Sequence, residues 1–206
     1  MGPVSVVFVV TVVVNHRASG HARSREPEAG SRTPSGDCFS GLLDSEPMLR
    51  HLLATLAYRA AKVLRDTPPG FSTFTASADT RQPVRIVAHL ADLMTWGVSL
   101  CDGRSTWKPV GGDDWGTEVQ RFFDGMRALD ARLAAAPPSE DDSRRLIAGP
   151  LADALTHVGQ LAMLRGMAGA PVRPESYARA AIVEGRVGPD QAAPGQEFDG
   201  DASARR

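Results

Sequence analysis

The chain has 206 residues, of which 42% are hydrophobic and 23% charged. Those fractions exclude collagen-like, coiled-coil and fully disordered chains. Lys plus Arg number 23 against 24 Asp plus Glu, a net charge of −1, so no global field draws the chain to nucleic acid or anionic lipid. Two cysteines, Cys38 and Cys101, are too few for a zinc site built from thiolates or for a disulfide framework, and a reducing cytoplasm is the expected setting.

Residues 4–14 read VSVVFVVTVVV, eleven residues with little polarity. A membrane-spanning helix needs about 20 apolar residues, so no span is expected here. The run has the length of a signal-peptide core, yet no Lys or Arg precedes it, and His16 and Arg17 follow almost at once. Residues 15–41 are rich in Gly, Ser, Pro, Arg and Glu, a composition that does not bury enough surface to order itself. Residues 1–45 are therefore expected to be a disordered or non-native extension of the reading frame before Met48, with a signal peptide as the alternative.

The remainder reads as helices. Ser45-Glu46-Pro47 is a helix-start signature, and Leu49, Leu52, Leu53, Leu56, Ala57, Ala60 and Leu64 follow at helical spacing. Thr67-Pro68-Pro69-Gly70 ends that segment. A second helix is predicted from Pro83 to Cys101, with Ile86, Leu90, Leu93, Met94, Gly97 and Cys101 on one face. A third starts near Asp113 or Asp114 and carries Val119, Phe122, Phe123, Met126, Leu129 and Leu133 before Pro137-Pro138. A fourth begins after Ser139 and runs to about Met167, with Pro150 either kinking it or opening a second helix. No useful period-2 pattern follows residue 45, so the fold class is all-α, a four-helix bundle over residues 46–188. Beyond Pro171 the chain reads as an irregular wrapping tail, with residues 189–206 disordered.

The last helix carries the most informative stretch, LADALTHVGQLAML over residues 151–164, where only Asp153 and His157 ionise. They stand four residues apart and share a face with Leu146, Pro150, Leu161 and Leu164, which points both toward the bundle interior. A buried carboxylate needs a partner or a metal. His89, between Ile86 and Leu93, adds a third group if the two helices pack together. Two imidazoles and a carboxylate with an open position form a catalytic zinc pattern, and the same set suits iron or another first-row metal. The plainer alternative is a hydrogen-bonded polar pair in the core. Asp92 is either a helix-edge acid or a group orienting His89. Gln160, one turn past His157, is placed to donate to substrate or water. His51 falls in a charged stretch and is expected in solvent. Trp96, Trp107 and Trp115 read as packing and loop anchors, and Cys101 as core.

Three stretches carry a family resemblance: AHLADLMTW (residues 88–96), ALTHVGQLAMLRGMAG (154–169) and PVRPESYARAAIVEGRVG (171–188). Over roughly residues 46–188 the chain resembles the DinB-like, damage-inducible-type four-helix-bundle family. The resemblance implies a metal-dependent enzyme whose triad is one His from the second helix and two from the last. His89 and His157 match two of these positions, and Asp153 stands where the remaining His is expected. It implies a divalent cation, Zn first and Ni, Fe or Mn as alternatives. It also implies a small-molecule substrate, with low-molecular-weight thiols serving some relatives. The expected function is therefore a metal-dependent transferase or hydrolase. The alternative is a non-catalytic helical interaction module, with homodimerisation in view, that keeps a degenerate site. Neither nucleic acid nor membrane is an expected partner.

Overall fold

The computed structural model describes residues 45–198. The apolar run at 4–14, His16, His21, Cys38 and the expected N-terminal extension up to residue 44 lie outside the described residues, as do residues 199–206. Within them the architecture is all-helical. Helix α1 spans Ser45–Leu64, α2 Pro83–Cys101, α3 Trp115–Ala135, α4 Glu140–Leu146 and α5 Ala152–Met167, with a π-helical turn, Ile147–Leu151, joining the last two. The α4–π–α5 run acts as one rod, so four rods make the bundle. No strand occurs among the described residues; one isolated bridge pairs Glu175 with Glu197.

Each rod forms where its sequence supplies a start, an apolar stripe and a stop. Pro83 occupies the first turn of α2, where its missing N–H costs nothing. Asp114 caps α3 by accepting from the Thr117 N–H at 2.8 Å. Ser139 caps α4 by accepting from the Asp142 N–H at 3.1 Å. Asp142 Oδ2 in turn accepts from the Ser139 hydroxyl. The expected stripes are the core: Leu53, Leu56, Leu90, Met94, Phe122, Met126, Leu129 and Leu161 are at most 1% exposed. Burying each such side chain contributes about 1.5–3 kcal/mol. Cys101 is also buried, which pushes its thiol pKa up. Helix α2 is long and apolar enough by composition to cross a bilayer, but 72% of that window is buried against neighbouring helices.

Two close approaches set how tightly α2 is held. A Cβ on Gly125 of α3 would stand 2.7 Å from Met94 Cβ, the root of a side chain that cannot swing aside. A Cβ on Gly149 in the π-turn would meet the Trp96 ring at 2.8 Å. The π-turn itself follows from Pro150, which has no N–H to offer the carbonyl four residues back, so the backbone widens by a residue and continues.

Buried charges lock the ends and the tail. Arg165 caps the C-terminus of α1, donating to the carbonyls of Val63, Arg65 and Asp66 at 2.8, 2.7 and 3.2 Å. The tail after α5 extends on the domain through Phe198, past the boundary expected at 188. The reason is a buried polar cluster: Lys62 Nζ lies 2.8 Å from both Glu175 and Glu197, and the Tyr58 hydroxyl donates to Glu175 at 2.8 Å. Burial and the adjoining Glu175 push the Tyr58 pKa up to about 12. Burial alone would raise the Glu175 pKa, but the bonds from Lys62 and Tyr58 outweigh it and hold that carboxyl below its ordinary value.

Gly125→Val is expected to lower the free energy of urea unfolding by about 2 kcal/mol through overpacking against Met94. Glu175→Gln should cost about 2 kcal/mol at neutral pH, because it leaves the buried Lys62 ammonium with Glu197 as its one carboxylate partner. Since the folded carboxyl titrates below its unfolded value, wild-type loses this contribution as pH falls through the acidic range. Unfolding curves of the two proteins should therefore converge on acidification, and a gap constant with pH would contradict the assignment.

Candidate metal centre

The three residues singled out by spacing converge. His89 comes from the middle of α2, and Asp153 and His157 from the first two turns of α5. His89 Nε2 lies 3.2 Å from Asp153 Oδ2, and His157 Nε2 lies 3.5 Å from Asp153 Oδ1. The imidazole rings stand perpendicular with centroids 4.8 Å apart. One ligand atom from each residue lies within 4.8 Å of the others, a grouping that could hold a metal ion.

The triad is not in the bundle core, as the sequence reading placed it. The side chains of His89, Asp153 and His157 are 24%, 45% and 12% exposed. The buried stripe of α5 runs through Ala154, Val158, Leu161 and Leu164, while Ala152, Thr156 and Gln160 face solvent. Asp153 and His157 each precede a stripe residue by one position, about 100° around the helix. They therefore sit on the margin of the stripe, open on one side.

Second-layer contacts differ from expectation in two ways. Asp92 does not orient His89. It is buried, accepts from Arg121 Nη1 at 2.6 Å and from the Val110 N–H at 3.2 Å, and so ties α2 to α3 and to the intervening loop. Arg121 also pairs with the buried Glu118 and donates to the Ala88 carbonyl. Gln160, expected to face substrate, instead accepts from His157 Nδ1 at 2.7 Å. That bond holds the His157 ring through Nδ1 and leaves Nε2 facing the Asp153 carboxylate. Trp107 was read from sequence only as an anchor, yet its ring stands edge-on to His89 at 5.6 Å and to Trp96 at 5.8 Å. It forms a wall of the site. A lone Trp in an irregular loop gives no periodic signal of that position. Trp115 packs on Phe71 as an anchor, and His51 is exposed, both as expected.

Ligand atoms around a tetrahedral cation with bonds of about 2.0–2.1 Å stand roughly 3.4 Å apart. The two contacts to Asp153 bracket that spacing. His157 Nε2 and Asp153 Oδ1 face each other across 3.5 Å. With one ligand atom from each residue the separations are within 4.8 Å, so the group could hold a metal ion. No family model, curated protein or solved structure matches the chain.

The two aspartates of α2 and α5 should separate cleanly. Asp92→Ala is expected to cost about 2 kcal/mol of stability in chemical denaturation, since it removes charge-assisted bonds in a buried setting. Asp153→Ala, at the half-open triad, should cost less than about 1 kcal/mol.

Proposed function

We propose that the protein is a metal-dependent enzyme acting on a small molecule, of the DinB-like four-helix-bundle kind, with His89, Asp153 and His157 holding a divalent cation. The observation that carries the reading is the convergence of His89, Asp153 and His157, one ligand atom of each within 4.8 Å of the others, with the other His157 nitrogen hydrogen-bonded to Gln160. Zinc suits two imidazoles and a carboxylate best, and nickel, iron and manganese remain compatible with the same donors. A bound cation of this kind supplies Lewis acidity toward a substrate heteroatom. The chain's own residues do the rest. Gln160 holds the ring of His157, Trp107 walls the His89 side, and the exposed edge of Asp153 leaves a direction of approach. Replacing the third His by Asp gives a harder, more anionic donor set than an all-imidazole triad. Transfer to or from a low-molecular-weight thiol, or hydrolysis, is the reaction class proposed, in a cytoplasmic setting.

A second reading is a non-catalytic helical module in which the triad is a polar network and a face of the bundle binds a partner or a second copy. The direct His89–Asp153 hydrogen bond favours it, because the acid already has one partner.

Elemental analysis of untagged protein decides between them. The metal reading expects about one equivalent of cation, as a single three-ligand site holds. It expects loss of that cation in His157→Ala and weakening by about 10–100-fold in Gln160→Ala, which frees the ring. Uptake should fall on acidification, because imidazole must lose its proton to ligate. Metal-free protein after growth in supplemented medium, with stability indifferent to chelator, would establish the module instead.

A further inference from the structure

Beside the triad lies a cavity of about 350 Å³ that shares His157 and Gln160 with it. Its remaining wall includes Thr80 and Arg81 from the loop before α2, Ile86 from α2 and Met163 from α5. The chemistry of this wall is one-sided. Arg81 is its formal positive charge, and among the described residues no carboxylate lines it. Among the described residues the Arg81 guanidinium enters no ion pair or hydrogen bond, unlike Arg50, Arg121 and Arg165, which are held by acids or carbonyls. With Gln160 Oε1 bonded to His157, the Gln160 amide keeps both of its N–H donors for a ligand. Ile86 is buried, whereas Met163 is 62% exposed at the same cavity, an apolar surface left open to solvent. A binding site is recognised by such a combination: an apolar lining with a few polar groups of one sense.

We propose that this cavity takes a small carboxylate with an apolar body, its charged end on Arg81 and its body along Ile86 and Met163. The other end of the ligand is then carried toward His157 and the triad. This names the substrate class of the proposed metal centre and rests on that reading only for the reacting end; the carboxylate subsite stands on Arg81 and the cavity. Guanidinium supplies a fork of N–H donors that matches a carboxylate in the plane. The unpaired guanidinium selects an anion over an alcohol or an amine.

The test uses the full chain, with and without added zinc, and hexanoate as the probe, with 1-hexanol as its uncharged counterpart. Binding is read by calorimetry, and zinc content is measured on the same samples. Hexanoate is expected to bind about tenfold or more tightly than hexanol, and Arg81→Gln to remove that advantage without changing zinc content. Met163→Glu, at an exposed position, should repel the probe and leave the fold intact by circular dichroism. If Arg81→Gln binds hexanoate as well as wild-type does, or if the two probes bind equally, the subsite is refuted, whatever the zinc content. If the protein takes up no zinc but prefers hexanoate in an Arg81-dependent way, the carboxylate subsite holds and the metal centre falls.

Discussion

Everything at the candidate centre depends on how closely α2 is gripped. Its buried face packs on α3 at Gly125, where Met94 leaves no room for a side chain, and its Trp96 lies over Gly149 in the turn that precedes α5. These two contacts act at different heights and on different neighbours, so α2 can neither slide nor roll without a clash. His89 sits on that same helix, two turns before Trp96. Its position opposite Asp153 is thus a product of steric exclusion elsewhere, not of its own weak polar contacts. A His–Asp bond at a half-open surface could not align two rods; the packed interior aligns them and the polar groups meet as a result.

The distribution of charge supports a distinction between structural and chemical groups. Buried ions here are thoroughly partnered. Arg165 is satisfied by carbonyls at a helix terminus, where the dipole favours a cation. Arg121 bridges Asp92 and Glu118, and Lys62 bridges Glu175 and Glu197. In each, opposite signs face each other. The triad differs: its one carboxylate faces two imidazoles at a half-open surface and no Arg or Lys. Arrangements that are electrostatically incomplete are where proteins place chemistry.

Much of this was legible in the sequence. The stripe residues of α1, α2 and α3 are the core residues, because amphipathic spacing reports burial directly. Both ends of α2 follow from Pro83 and Asp102-Gly103, and α3 begins at the capping acid expected of it. His89, Asp153 and His157 do converge, since an i,i+4 pair and a facing His need only the correct helix pairing. Depth was not legible. Asp153 and His157 share a helix face with buried leucines, but a deviation of one position separates core from margin, and periodicity does not resolve it. Nor was the partner of Asp92, because Arg121 lies 29 residues away in sequence and on another helix. The ordered run from 189 to 198 was missed for a similar reason. Its composition resembles a frayed end, and the groups that hold it, Lys62 on Glu197 and Arg65 on the Gln191 carbonyl, lie far away in sequence.

The π-turn at Ile147–Leu151 carries one residue more than an α-helical path of the same rise. Excising a residue there would restore a regular rod and keep α5 in phase with α4, because the widened turn absorbs the extra residue within one revolution. A residue added or removed in regular helix between that turn and Asp153 would instead swing every later side chain by about 100° and present the stripe and its two polar neighbours to the wrong partners. The widened turn is thus the one place in this rod where chain length can change without rotating Asp153 and His157 away from α2.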